Sequence, residues 1–398
     1  MDDVTDLVSQ GDPLFAEGVD LTVLLILAGK LLVVFAFLMV GVLFMVWFER
    51  KIISDMQNRI GPARAGPWGI IQALADGIKL FFKEDLLPDH ADRRVFRLAP
   101  YLSIIPAFLA FSIVPLGGTI SIAGRDTYLQ LADPPVGVLF LLAMSSVAVY
   151  GVILAGWASG SKYPLLGSVR ASAQMVSYEA AMSLTVVSAV LVAGSLSTRD
   201  IVESQALWNW NLWQLGAVPF LIFMVAVTAE LNRPPFDLVE AEQELVGGFH
   251  TEYSSIRFAM FYLAEYMNLI TMSAIAITLF LGGPNGPSIP VLPDALEGVL
   301  WFVVKLLAFL FAYVWLRATL PRLRYDQLMN VGWKVLIPLA LFWLLLIAAL
   351  RIGQDEGWEW YYVFGGALGV GFLVWTVLSA ALRLGEQAST LQPEEASS

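Results

Sequence analysis

The chain contains no cysteine and only two histidines among its 398 residues. The absence of cysteine excludes disulfides and thiolate-held iron–sulfur clusters within this chain. Two histidines without a cysteine do not make a convincing metal site. No glycine-rich phosphate loop follows a strand pattern, so nucleotide binding is not predicted either. The net charge of −11 argues against nucleic acid as a partner.

Charged residues are also scarce. They form 14% of the chain, against about 25% in soluble domains, whereas hydrophobic residues form 58%. The apolar stretches are long enough to cross a bilayer core of about 30 Å, and they lack the alternation of barrel strands. We therefore predict an all-α integral membrane protein with about nine transmembrane helices. The spans lie near residues 21–48, 99–119, 135–157, 174–194, 213–230, 257–282, 296–317, 333–351 and 359–382.

Positive charge is nearly absent from one set of loops. That set contains only Arg125, Arg199 and Arg351, whereas the other loops hold almost all remaining lysines and arginines. The positive-inside rule then places the N-terminus outside and the C-terminus in the cytoplasm. We expect an acidic external arm at 1–20, one polytopic membrane domain at 21–384 and a disordered cytoplasmic tail at 385–398.

The cytoplasmic loop after the first span contains an amphipathic segment at 67–83. Apolar side chains cover one face, and polar residues that include Asp76 and Lys79 cover the other. This pattern is typical of a helix that lies flat at the membrane surface. A passive interfacial helix is the alternative to a functional one.

A second cytoplasmic loop, at 231–256, is strongly acidic. Pro234 and Pro235 must end the preceding helix, which places Glu230 at the membrane edge. Clustered carboxylates raise one another's pKa and titrate as a coupled set. The loop is therefore a candidate proton-holding cluster, and a solvated acidic loop is the alternative. Together with Glu230, the cluster contains the loop carboxylates Asp237, Glu240, Glu242, Glu244 and Glu252.

Four charged residues lie inside the predicted spans: Lys30, Glu179, Glu265 and Lys305. A charge at that depth costs at least about 2.5 kcal/mol and is usually kept for function. Lysine can extend its ammonium towards the interface, but the shorter glutamate side chain reaches less far. We therefore interpret Glu179 and Glu265 as protonatable groups that face protein or water.

Several motifs occur together in one order along the chain. They are Glu49-Arg50-Lys51, Gln57-Asn58-Arg59-Ile60-Gly61-Pro62, Gln72–Leu80, Ser177-Tyr178-Glu179, Asn232–Leu238 and Arg317–Asp326. In these residues the chain resembles the quinone-chamber membrane subunit, the H subunit, of respiratory complex I. His250 departs from the family pattern, which often has asparagine there.

The resemblance implies a subunit of a proton-pumping NADH:quinone oxidoreductase in a bacterial inner membrane. Its substrate would be a quinone, either ubiquinone or menaquinone. Partner subunits of the peripheral arm would carry flavin and iron–sulfur clusters, and antiporter-like and small membrane subunits would continue the membrane arm. The implied quinone-tunnel residues are Arg50, Arg59, Asp76, Lys79, Phe81, Phe249, Tyr262 and Tyr266. The implied proton relay consists of Glu179, Glu230, Glu240, Glu242, Glu244 and Glu265.

Two alternatives stay open at the level of the sequence. A homologous subunit of a membrane-bound hydrogenase or related dehydrogenase would use the same module with another electron donor. A secondary ion transporter also carries charges within its spans. No internal two-fold repeat is visible in the sequence, and the carboxylates gather at the cytoplasmic rim, which argues against the transporter.

Overall fold

The structure, a computed structural model, describes residues 12–16, 18–205, 209–238, 245–288 and 293–357, together with 365, 366, 369 and 376. In this part of the chain the helices are α1 (Leu21–Met56), α2 (Ile71–Phe82), α3 (Arg93–Phe111), α4 (Gly137–Ala158), α5 (Lys162–Ala193), α6 (Thr198–Glu203), α7 (Asn211–Gln214), α8 (Ala217–Glu230), α9 (Ser255–Phe280), α10 (Asp294–Thr319), α11 (Tyr325–Val331) and α12 (Ile337–Asp355). Short 3₁₀ turns occur at Pro13–Phe15, Pro67–Gly69 and Gly248–His250, and a π-helical segment, Gly332–Leu336, joins α11 to α12.

Seven helical segments within the described residues are long and apolar enough to cross a membrane. They are α1, α3, α4, α5, α9, most of α10 and the continuous stretch Tyr325–Gly353. The prediction of an all-α integral membrane protein is confirmed. The predicted span at 359–382 and the tail at 385–398 lie outside the described residues, apart from 365, 366, 369 and 376.

Helix α9 forms the centre of the bundle. Within an 18-residue apolar stretch of each helix, 83% of α9 is buried, against 28% of α1. From Met267 to Phe280 nearly every side chain of α9 is buried, as expected for a helix that is apolar on all sides. It packs against α1, α3 and α10. A side chain on α9 can therefore contact residues from several other helices.

Helix α1 is longer than a membrane core requires. Its 36 residues correspond to about 54 Å, whereas the hydrocarbon layer is about 30 Å thick. The last turns of α1, with Glu49 and Arg50, therefore reach the end of the bundle. The apolar side chains of α2 are largely exposed there, with Phe81 at 70% and Phe82 at 87%, as expected for an amphipathic surface helix.

Three features differ from the sequence-based boundaries. Helix α3 begins at Arg93, because the Asp92 carboxylate accepts hydrogen bonds from the backbone N–H groups of Arg94 and Val95. Helix α5 begins at Lys162 rather than near 174, because its polar first turns pack against protein. Helix α8 has only 14 residues, about 21 Å, too short to cross the membrane alone.

An antiparallel hairpin that the sequence analysis did not predict follows α3. Strands β1 (Thr119–Ile122) and β2 (Arg125–Tyr128) pair Thr119 with Tyr128 and Ile122 with Arg125. The two turn residues, Ala123 and Gly124, both have positive φ, the geometry that suits a two-residue hairpin. The hairpin lies at the end of the bundle where α1 begins, since Arg125 pairs with Asp20 at 2.8 Å.

Candidate functional site

A narrow cleft with a volume of about 70 Å³ opens between α3, α4, α5 and α9. One part of its lining is aromatic and includes Phe249, Phe258 and Phe261. The other part is polar, and its side chains are Glu230, Asn232, His250, Tyr262, Glu265 and Asn268. The cleft thus places carboxylates beside an apolar surface.

Glu230 is the last residue of α8 and is buried, with 8% of its surface exposed. The hydroxyl of Ser145 on α4 donates a hydrogen bond to its Oε1 atom. Its Oε2 atom has no hydrogen-bond partner among the described residues. Glu230 also lines a second, smaller cavity of about 20 Å³ between α3, α4 and α9, which shares part of its lining with the first. This carboxylate therefore lies between two internal spaces.

Glu265 belongs to a buried network of alternating charges. The Nε atom of Arg233 lies 3.0 Å from Oε1 of Glu265, and its Nη1 atom lies 3.5 Å from Oε2 of Glu49. Arg317 on α10 contacts the other carboxylate oxygen of Glu49. Burial is costly for each charge alone, and the pairing offsets that cost. The network joins α1, α9, α10 and the turn after α8.

Two tyrosines extend this network to the cleft. Tyr262 donates a hydrogen bond to the hydroxyl of Tyr266 at 3.1 Å, and Tyr266 donates to Glu49 at 2.8 Å. The Arg233 guanidinium lies 4.3 Å from the centroid of the Tyr266 ring, within cation–π distance. A chain of two hydroxyls therefore leads from the cleft wall to the buried Glu49.

An ion-pair cluster outside the cleft ties α2 to α1. Arg50 contacts Asp76 at 2.7 Å, and Lys79 contacts the same carboxylate at 3.4 Å. Partial burial acts to raise the pKa of Asp76, but the hydrogen bonds and charges of Arg50 and then Lys79 outweigh it and lower that pKa. The cluster holds the surface helix against the end of α1.

The implied tunnel residues therefore fall into separate groups. Phe249 and Tyr262 line the cleft, and Tyr266 lies one helical turn from Tyr262. Arg50, Asp76 and Lys79 form the cluster between α1 and α2. Arg59 and Phe81 are exposed and do not line the cleft.

The implied relay is described in part. Glu230 and Glu265 both line the cleft. Glu179 is half-buried on α5 and accepts a hydrogen bond from Ser146 of α4. Glu240, Glu242 and Glu244 lie outside the described residues.

The two lysines within the spans make anchoring contacts. Lys30 pairs with Asp12 at 2.9 Å and donates to Thr127 of β2 at 3.0 Å. Lys305 donates to the backbone carbonyls of Leu281, Gly283 and Asn285 at 2.7–2.9 Å. Carbonyls just after a helix otherwise lack partners, so Lys305 stabilises the end of α9.

Four residues of the site had no role predicted from the sequence: Glu49, Arg233, Arg317 and His250. The first three stand in the quoted motifs, but the role of each depends on a partner far along the chain. The sequence feature that could have indicated these three residues is a charged side chain next to the end of an apolar run. His250 stood out only as a departure from the family pattern, and the structure places it in the cleft wall.

His250 is expected to make stability depend on pH. Burial lowers its pKa to about 4, and Asp237 acts weakly in the opposite direction. The folded state then binds the proton less readily than the unfolded state, so stability falls as the pH drops below about 6.5 and levels off below about 4. We expect a loss of about 3 kcal/mol across this window.

The thermal midpoint of the detergent-solubilised protein at pH 7.5 and 4.5 measures this effect. His250→Asn should remove this part of the pH dependence. His90→Asn, a change of the exposed histidine, should retain the wild-type dependence. Equal pH dependence of the His250 variant and the wild type would contradict the assignment.

The fold and the site define a polytopic helical membrane protein with buried, paired charges around an internal cleft. Residues 29–348 match the family model described as NADH dehydrogenase. The H subunit of the NADH-quinone oxidoreductase of Frankia alni is 55% identical over 348 residues, which cover 86% of this chain and 77% of that protein. Its counterpart in Frankia casuarinae is 54% identical, covering 87% and 78%, and that in Streptomyces avermitilis is 51% identical, covering 84% and 76%.

The chain therefore belongs to the NADH dehydrogenase family, as an H-type membrane component of a multisubunit NADH-quinone oxidoreductase. The resemblance inferred from the motifs is confirmed. The chain is part of an enzyme, and that enzyme is an oxidoreductase.

Proposed function

We propose that this chain forms the membrane-side wall of the quinone tunnel and the first part of a carboxylate relay. The relay would couple quinone reduction to proton translocation. The observation that carries the proposal is the composition of the cleft, whose lining includes both the aromatic Phe249 and Phe261 and the carboxylates Glu230 and Glu265. An apolar wall suits a lipophilic quinone, and the carboxylates can exchange protons with it or with water.

Electrostatics provide the coupling. A unit charge about 10 Å from a carboxylate changes its energy by about 1.7 kcal/mol at an effective dielectric constant of 20. That energy corresponds to more than one pKa unit. Negative charge on a reduced quinone would therefore change the proton occupancy of Glu230 and Glu265. Glu179 would receive the effect next, and Glu240, Glu242 and Glu244 complete the proposed relay.

We place the entrance of the tunnel beside the basic residues Arg50 and Lys79, which pair with Asp76. Arg50 and Lys79 hold Asp76 and fix α2 against α1. The exposed Arg59 and Phe81 flank the same end of the bundle. Quinone, as ubiquinone or menaquinone, would enter along the apolar side of α2 from the bilayer.

The assembly and topology are proposed on the same basis. Iron–sulfur clusters would reside in peripheral-arm subunits, because this chain has no cysteine to ligate them. Flavin would reside in the peripheral arm as well. Antiporter-like and small membrane subunits would receive the relay. The chain would lie in the bacterial inner membrane with the acidic arm 1–20 outside, the domain 21–384 in the membrane and the tail 385–398 in the cytoplasm.

The tunnel proposal predicts a selective defect in quinone use. Arg50→Ala and Asp76→Asn each remove the short ion pair between α1 and α2. We expect the apparent KM for quinone to rise about three- to tenfold, because α2 loses one of the contacts that hold it against α1. Flavin-side NADH oxidation with an artificial acceptor should stay at the wild-type rate.

Arg64→Ala, which changes an exposed residue of the same loop, serves as the matched control. The Arg50→Ala/Asp76→Asn double variant should be no worse than Asp76→Asn alone, because Asp76→Asn already removes the pair with Arg50. Unchanged quinone affinity and turnover in both single variants would exclude the tunnel assignment.

A further inference from the structure

We propose that Ser145 and Ser146, two consecutive residues of α4, are positioning residues that connect Glu230 to Glu179 in the relay. The inference rests on the proposed relay function of these glutamates. Ser145 donates its hydrogen bond to Glu230 of α8, and Ser146 donates to Glu179 of α5. One dipeptide thus bonds carboxylates from two other helices.

Helix geometry explains how neighbouring serines reach different partners. Consecutive residues of an α-helix point about 100° apart. Helix α4 packs along α5, and α5 packs along α8. Ser145 can therefore point towards the end of α8 while Ser146 points towards α5. The two carboxylates therefore bond to consecutive residues of α4.

These hydrogen bonds differ from those of three other serines in, or at the end of, the membrane helices. Within a helix, serine commonly donates to the carbonyl four residues earlier. Ser159, Ser177 and Ser188 follow that pattern, since they donate to the carbonyls of Ala155, Ala173 and Leu184. Ser145 and Ser146 donate to carboxylates instead. A hydrogen bond to a charged group is about twice as strong as one between neutral groups.

The bond from Ser145 also determines the orientation of Glu230. It holds the Oε1 atom, whereas Oε2 has no hydrogen-bond partner among the described residues. Ser145 and Glu230 both line the second cavity, and Asn268 of α9 lines both cavities. Glu230 therefore lies between the cleft and α4. Ser146 holds Glu179, which is the next carboxylate of the proposed relay. The inferred order is cleft, Glu230, Glu179.

The test compares side chains of the same shape with and without a hydroxyl. Threonine and valine are introduced in turn at positions 145 and 146, and proton pumping by the assembled complex in sealed vesicles is measured. We expect Ser145→Val and Ser146→Val to lower the pumping rate about tenfold and to shift its pH profile. Ser145→Thr and Ser146→Thr should keep most of the rate, because the hydroxyl is retained.

Ser159→Ala is the matched control at the end of the same helix, since Ser159 is buried and donates to a backbone carbonyl. It should pump normally. Equal pumping by the threonine and valine variants would overturn the serine proposal, even if Glu179→Gln and Glu230→Gln pump poorly. Normal pumping by those glutamine variants would instead overturn the relay itself, whatever the serine variants do.

Discussion

Arg233→Met is expected to destabilise the bundle by about 3–5 kcal/mol, the usual cost of removing one partner from a buried ion pair. The Arg233 side chain is only 9% exposed and lies between Glu49 and Glu265, above the ring of Tyr266. Its removal leaves two carboxylates without the cation they share. The thermal midpoint of the solubilised complex should fall clearly, and less assembled complex should be recovered from membranes.

A double variant separates charge from packing in this prediction. Glu265→Gln removes one of the two charges that Arg233 balances. The Arg233→Met/Glu265→Gln variant should therefore lose less stability than the sum of the single variants, by at least about 1 kcal/mol. Arg97→Met replaces an exposed arginine of α3 and should change stability by no more than about 0.5 kcal/mol. Strict additivity, or a loss in the control as large as in Arg233→Met, would contradict the role of the network.

Glu265→Gln and Glu179→Gln are expected to lower proton pumping and quinone-dependent turnover at least tenfold, while the complex still assembles. Glutamine keeps the shape of glutamate but cannot bind and release a proton. Each glutamine retains hydrogen-bonding atoms near the partners Arg233 and Ser146, so packing should change little. Pumping in sealed vesicles and NADH-driven quinone reduction measure the effect.

Glu356→Gln is the matched control, because it removes an exposed carboxylate outside the cleft. It should leave both rates unchanged. Flavin-side activity with an artificial acceptor should be normal in all three variants, which separates a relay defect from loss of the peripheral arm. Wild-type pumping in the assembled Glu179 and Glu265 variants would remove both residues from the relay.

The sequence predicted the helical membrane fold because long apolar runs are a local signal. It also identified Glu179 and Glu265, since a charge within such a run stands out. The charge network was not predicted, because Glu49, Arg233 and Arg317 come together only when α1, the turn after α8 and α10 pack. Sequence spacing does not contain that information.

Smaller features were missed for different physical reasons. The β1–β2 hairpin follows an apolar run. The sequence pattern that indicates a hairpin there is limited to the two-residue turn at Ala123 and Gly124. Ser145 and Ser146 gave no signal, because serine within an apolar helix usually bonds to its own backbone. The position of His250 depends on the packing of Phe249 and Phe258 around it.

The most direct test of the account is the number of protons translocated per electron pair by the assembled complex that carries Glu179→Gln, Glu230→Gln and Glu265→Gln together. We expect this ratio to fall well below that of the wild type, while NADH oxidation with an artificial acceptor continues at the normal rate. A wild-type ratio at wild-type quinone turnover would show that protons and redox energy are coupled without these three carboxylates.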